Sequence, residues 1–508
     1  MSDLALTRRS TNPLFVLLTA STGCAMTVLD TNVVAIVLPT IARDFQASFA
    51  EIEWVISTYV LCFAALLLPA GAIADRFGRR RVFLIGITSF AISSLMCGLA
   101  PSAMALYLAR ALQGVSAAFM LAPALAIIGH TFHVEAERNR AWAIWGAMMG
   151  LTMVLAPIIG GVIAYALGWR WAFHINAPIC ALLAVAALFL MEESSDAAAR
   201  RLDPAGIVSF TATMFGLTWG LINGQAHGWG STSALVGFIG GALALAVFIV
   251  VERSQQRPML DLQLFSNPRF VGAVWAMFAY AAAAQVMASM LPLFLQNGLG
   301  RSALEAGFAM LPFALAMLVF PQVGRILGSR FSSRAILATG LVLVGIGNAA
   351  TAWGAQIGAW PAVMSGMLVL GSGGGLLNGE TQKAIMSVVP RERAGMASGI
   401  STTSRFSGIL LGFALLSGVL ATAVRRQLVD PTCGGSCAST SSFADAVIAG
   451  DLPHAVAGLT GPARELAIEH ARTAFSSGFS IALLTAAVFA IGSSIAIYRL
   501  MRDRPHSS

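Results

Sequence analysis

Fourteen apolar stretches of about 20 residues follow one another along this chain. They lie near 13–38, 54–74, 82–100, 103–128, 141–166, 171–191, 205–223, 233–251, 269–296, 303–323, 335–353, 360–382, 396–424 and 475–499. A helix rises about 1.5 Å per residue, so each stretch spans the roughly 30 Å hydrocarbon core of a bilayer. In lipid the backbone must satisfy its own N–H and C=O groups, which makes such stretches helical. The expected fold is therefore an all-α integral membrane protein with 14 transmembrane helices. Composition agrees: 57% of the 508 residues are hydrophobic and 11% charged, against about 25% charged in a soluble domain. The first stretch follows Arg8 and Arg9 but is too long for a secretion leader. No small-residue cleavage site follows it, so it reads as a retained helix.

Charge fixes the expected orientation. With the N-terminus in the cytoplasm, 22 of the 31 Lys and Arg residues fall at cytoplasmic ends and loops, and seven fall outside. Lys and Arg are enriched on the cytoplasmic side of membrane proteins. Both termini are then expected in the cytoplasm. The net charge of +8 does not indicate nucleic acid, because the arginines sit in short loops between apolar runs. The single lysine, Lys383, follows Gln382, so no GxxxxGK[ST] nucleotide loop exists. No cofactor is expected, and energy must come from an ion gradient or from the solute's own gradient. His130 and His133 lack further ligands, so no metal site is expected either. Without a catalytic cluster or a folded soluble domain, the chain does not read as an enzyme.

A weak internal repeat supports two bundles. Arg76-Phe77 recurs as Arg330-Phe331, Arg80 as Arg334 and Gly86 as Gly340, all at an offset of 254 residues. Both stretches join the second and third helices of a six-helix half. We place one bundle at 13–191, a second at 269–499, and two extra helices in the intervening 192–268. An extracytoplasmic segment at 425–474 precedes the last helix. It holds two short helix-like stretches, around 441–449 and 462–473. It also holds Cys433 and Cys437, which could pair in an oxidising compartment or stay free, since so short a ring is strained.

Several motifs then fall in order. The loop Gly71-Ala72-Ile73-Ala74-Asp75-Arg76-Phe77-Gly78-Arg79-Arg80-Arg81 matches the G-x-x-x-D-R-x-G-R-R pattern of the major facilitator superfamily. Leu29-Asp30-Thr31 through Leu38-Pro39, Arg110-Ala111-Leu112-Gln113-Gly114, and Trp169 to Pro178 resemble other motifs of its fourteen-helix drug:proton antiporter branch. The long outer segment is similar to that of quaternary-ammonium efflux pumps, which carry a helical hairpin there. The fifth-helix pattern G-P-x-x-G-G reads Ala156-Pro157-Ile158-Ile159-Gly160-Gly161 here, with Ala in place of the first Gly. The resemblance implies the two-bundle fold and proton-coupled efflux of drugs or antibiotics by alternating access. It also implies that Gly71, Asp75, Arg76, Gly78, Arg79 and Arg80, with Pro157, Gly160 and Gly161, act as conformational gate elements.

The rare charges inside the membrane are the candidate working residues, because an ionisable group in lipid is costly. Asp30 and Arg110 each lie about eight residues, roughly 12 Å, from the outer ends of their helices. They could meet as a proton-coupling site or as a permanent structural ion pair. Glu380 and Arg405 could pair as an inner gate; alternatively Glu380 pairs with Lys383 and Arg405 snorkels to the interface. Tyr59, Gln113, Trp145, Tyr280 and Gln285 are candidates to line a substrate cavity, although ordinary helix packing explains each as well. The expected partners are a small-molecule substrate, protons and lipid, around a monomer that an adaptor protein could join. Competing readings are export of an endogenous metabolite or siderophore, and proton-symport import.

Overall fold

The computed structural model describes residues 12–132, 134–195, 203–255, 262–389, 394–428 and 440–502. Cys433 and Cys437 lie outside them. Among the described residues, fourteen helices are long and apolar enough to cross a membrane. In order they are α1 (Pro13–Phe45), α2 (Phe49–Phe77), α3 (Arg79–Gly98), α4 (Ala103–Thr131), α5 (Glu135–Ala166), α6 (Trp171–Leu190) and α7 (Pro204–His227). Then come α8 (Thr232–Ser254), α9 (Pro268–Gly298), α10 (Ala303–Leu327), α11 (Ser333–Gln356), α12 (Trp360–Val388), α13 (Ala394–Leu428) and α14 (Pro462–Leu500). An even number of crossings puts both ends of the array on one face, here called the termini face; the other is the far face.

Local chemistry sets the helix starts. Ser48 and Ser302 form capping boxes with Glu51 and Glu305, which satisfies backbone donors at both ends of the box. Asn12, Asp203 and Asn267 cap helices that begin with Pro, where the missing N–H costs nothing. Several helices extend beyond the sequence expectation, α1 to Phe45 rather than 38 and α12 to Val388 rather than 382 among them; two of the differences have a visible local cause. α2 begins at Phe49 rather than near 54, because the capping box precedes its apolar run. The stretch expected at 462–473 is not separate: it forms the first turns of the 39-residue α14. Pro462 starts that helix, and no Gly or Pro interrupts it before 475. Among the described residues between α13 and α14, the short helices are Thr440–Ala449 and Leu452–Ala455. Arg425 on α13 holds Asp445 of the first at 2.8 Å.

α1–α6 and α9–α14 form two bundles, and α7 packs on α8 beside them. Glycines bring α7 and α8 backbone to backbone, Gly216 against Gly241 and Gly237 against Gly220. The pair docks on α2 through Trp54, whose ring lies 5.8 Å from Trp219 and 6.1 Å from Phe215. The internal repeat is visible in space. Gly86 lets α3 approach the Phe119 backbone of α4, and Gly340 lets α11 approach Gly373 of α12, again 254 residues on. Arg80 donates to the Leu188 carbonyl of α6 at 2.5 Å, and Arg334 to the Tyr498 carbonyl of α14 at 2.7 Å. Each arginine thus ties the start of a third helix to the sixth helix of its own bundle.

α9 departs from regular geometry. It contains two π-helical turns, Ala281–Gln285 and Phe294–Gly298, on either side of an α-helical segment Met287–Leu293. π turns of this kind are uncommon and concentrate at functional positions.

Candidate functional site

The R-x-x-Q-G sequence on α4 builds the centre of the first bundle. Arg110 and Gln113 are three residues apart and share a helix face. Gly114 lets the Tyr59 carbonyl of α2 approach α4 closely. Arg110 then reaches α1, where its Nη1 donates to Asp30 Oδ2 at 2.5 Å. The same nitrogen donates to Gln113 Oε1 at 2.7 Å, and Arg110 Nε donates to the Val55 carbonyl at 3.2 Å. The guanidinium lies over the Tyr59 ring, 4.1 Å from its centroid. Asp30 Oδ1 accepts Gln113 Nε2 at 2.9 Å and Asn176 Nδ2 at 3.1 Å. Ser94 Oγ accepts Gln113 Nε2 at 3.2 Å and Asn176 Nδ2 at 2.9 Å, and donates to the Phe173 carbonyl. Asp30, Arg110, Gln113 and Asn176 are each at most 1% exposed.

Asp30 and Arg110 therefore meet, as their depths suggested. Tyr59 and Gln113 are buried parts of the same network and line no open cavity in this structure. Neither Ser94 nor Asn176 was named as a site residue from sequence: Asn176 lay within the Trp169–Pro178 motif without a role, and Ser94 was only a polar residue inside an apolar run. Chemically, the network is a neutral ion pair held by three donors to one carboxylate. Protonating Asp30 would remove the counter-charge of Arg110 and turn an acceptor into a donor, so the network must then rearrange.

The basic loop is organised within its own bundle. Asp75 accepts Arg79 Nε at 2.8 Å, and the Arg79 Nη2 contact is 2.7 Å. Gly78, with φ +110°, offers no side chain to cap α3. Glu193 caps it instead, accepting the backbone N–H groups of Arg80 and Arg81 at 3.1 Å each. A β-carbon on Gly78 would sit 2.6 Å from the Glu193 carboxylate. Gly and only Gly meets both demands there. Arg76 lies beside the Phe77 ring, and Gly71 faces α4 near Ala122.

The fifth-helix pattern lies at the seam between bundles. A β-carbon on Gly161 would lie 2.8 Å from the Ala303 carbonyl of α10, and Gly307 of α10 packs against the Pro157 carbonyl. Gly160 faces Val33 of α1, 3.2 Å from a β-carbon placed on it. Ala156 is fully buried. Gln296 of α9 donates to the Ile36 carbonyl of α1 at 2.9 Å. Ser417 of α13 donates to Glu53 of α2, a carboxylate only 1% exposed. Glu53 was overlooked because the second apolar run was started one residue after it. Deeper in, Phe63 and Phe406 meet edge to face at 4.4 Å. These contacts close the seam from the far face inward.

Of the two readings left open for Glu380 and Arg405, the local Glu380–Lys383 pair forms and the Glu380–Arg405 pair does not. Glu380 accepts Ser333 at 2.5 Å and Lys383 at 3.2 Å. Arg405 donates instead to Gln285 of α9 at 2.8 Å. An i,i+3 neighbour on the same helix reaches Glu380 without spanning to α13, so the local pair wins. Tyr280 is fully buried beside the first π turn of α9. Trp145 is half-buried on α5 and packs edge to face on Trp142 at 5.7 Å.

Two six-helix bundles, a sealed far face and an ion pair buried in the first bundle define a secondary transporter of small molecules. The chain matches the Major Facilitator Superfamily model over residues 20–413. It is 33% identical over 488 residues to multidrug resistance protein Stp of Mycobacterium tuberculosis, covering 93% of this chain and 89% of that one. It is 32% identical over 501 residues to the tetracenomycin C resistance and export protein of Streptomyces glaucescens, covering 95% and 90%. A bacterial homologue of the human lysosomal transporter Spinster shares the fold, with a TM-score of 0.64, 19% identity, and 97% and 99% of the two chains covered. The chain belongs to the Major Facilitator Superfamily.

Proposed function

We propose that this protein exports drug-like or antibiotic compounds from the cytoplasm in exchange for protons, with its termini face in the cytoplasm of a bacterial inner membrane. The observation that carries the reading is the enclosed Asp30–Arg110–Gln113–Asn176 network. A carboxylate in lipid is retained for function more often than for stability. Here it can be switched by one proton without any cofactor. With the far face sealed along α5 and α10, cargo enters from the termini face. Rocking of the bundles about the seam then exposes the site to the other side. A proton taken up there loads Asp30, frees Arg110 from its counter-ion, and favours return. The names of the Stp and tetracenomycin relatives, resistance and export, support the direction.

The test is a drug-susceptibility panel in a pump-deleted host, with and without a protonophore. Resistance to several unrelated compounds that the protonophore abolishes supports the reading; an unchanged panel would sink it. A second reading, export of one self-made metabolite, is favoured by the word export in the tetracenomycin relative's name. It predicts no panel resistance and loss of one secreted compound on gene deletion.

A further inference from the structure

We infer that Arg405, with Gln285 and Tyr280, forms a cargo-reading site in the second bundle that selects compounds bearing an anionic oxygen, a carboxylate or an acidic phenol or enol. The inference rests on the export reading for the word cargo and deepens it. Its ground is a charge imbalance between the bundles. Arg110 is 1% exposed and bound to Asp30. Arg405 is partly exposed, and the partner of its guanidinium is the neutral amide of Gln285 at 2.8 Å. Among the described residues, no carboxylate forms an ion pair with Arg405. Glu380 is taken by Ser333 and Lys383. Glu53 bonds Ser417, twelve residues and about 18 Å along α13.

The position is deep. Gln285 lies in the middle of α9, a span of 31 residues, so Arg405 does not reach for the interface in this structure. A guanidinium cannot shed its proton, and a charge at membrane depth without a counter-ion costs several kcal/mol. Its complement must therefore arrive from elsewhere. A second donor lies on the same helix as Gln285, five residues before it. The Tyr280 hydroxyl is fully buried and has no hydrogen-bond partner among the described residues. A buried donor left unmade is itself costly. A guanidinium fork and a phenol O–H are both donors, and together they fit an oxyanion rather than a cation. Phe406, the residue after Arg405 on α13, meets Phe63 of α2 across the seam, which sets Arg405 near the boundary between the bundles, where alternating-access transporters hold their substrates.

The test is equilibrium binding to the purified full-length protein in lipid nanodiscs. The probes are a fluorescent xanthene carboxylate and its methyl ester, read by anisotropy. The wild type should bind the acid at least about tenfold more tightly, as expected for a hydrogen bond to a charged group. Arg405→Gln should bring the acid-to-ester ratio close to one, while Arg405→Lys, which keeps the charge, should retain most of it. Equal binding of acid and ester, no binding of either, or an unchanged ratio in folded Arg405→Gln overturns the site. Should Arg405→Gln not fold, Tyr280→Phe must lower the ratio about threefold, the value of one neutral hydrogen bond; no change there is equally fatal. Acid preference without protonophore-sensitive efflux would remove the export reading and leave this site standing. Efflux with no such preference would do the reverse.

Discussion

At the residue scale, Asp30 shows how one side chain can hold four helices. Its two oxygens take donors from α4 and α6, and Ser94 of α3 closes the ring. Asp30→Asn should abolish protonophore-sensitive efflux while the protein still reaches the membrane. The same change leaves Arg110 enclosed without a counter-ion, a defect worth on the order of 3 kcal/mol. A lowered Tm in detergent, checked by thermal unfolding, should accompany the lost coupling. Wild-type resistance in that variant would refute the coupling role. Asn176→Leu removes one donor of three, so we expect slower efflux with coupling retained, measured as efflux rate against an imposed pH gradient. Asp30 and Arg110 were legible in the sequence because charges are rare within apolar runs. Ser94 was not, because neutral polar residues are common there; Asn176 lay inside a recognised motif, but only folding, which brings α3, α4 and α6 together, gives it a partner. For Glu380 and Arg405 the sequence left two pairings open for a related reason: depth along a helix says nothing about which face a side chain takes, and the local Glu380–Lys383 pair is the one that forms.

At the element scale, α3 begins without a cap of its own and borrows one from Glu193, more than 110 residues away in sequence. Glu193→Ala should speed amide exchange at Arg80 and Arg81 severalfold, consistent with a cap worth about 1 kcal/mol. Hydrogen–deuterium exchange of peptides covering 79–82 reads this directly. Asp75→Ala should slow transport and spare cargo binding, because the aspartate touches Arg79 and nothing that we place in the cargo path. Comparing KM with kcat separates the two effects. The helices themselves were legible, since a span in lipid writes its length into the sequence. The π turns of α9 were not, because an i→i+5 bond leaves no periodic apolar trace in a segment buried on all sides.

At the scale of the whole molecule, the α5–α10 seam is made of backbone against backbone, so any side chain there acts as a wedge. Gly307→Val should push against the Pro157 carbonyl and hold the far face open. Faster labelling of a cysteine placed at Ile36 by a membrane-impermeant thiol reagent is the expected readout; labelling at the wild-type rate would show that the seam adapts. Conversely, a Glu53→Cys, Ser417→Cys pair in a background lacking the native cysteines should lock the far face shut on oxidation. Efflux should stop and return with reductant. The two-bundle plan behind these predictions was legible from the repeat at 254 residues. The seam was not, because it depends on which glycines of distant helices come face to face.

The two π turns of α9 give the second bundle a form of slack. Each carries one residue more than an α-helical turn would need, so relaxing either to α geometry sets the residues on its two sides off by about 100° of rotation. The segment between them, Met287–Leu293, could then swivel like a bearing between fixed collars. It would re-aim its side chains at the seam while the ends of α9 keep their places. In this machine a large change of lining needs no large displacement, only the passing of one hydrogen-bond register along a single helix.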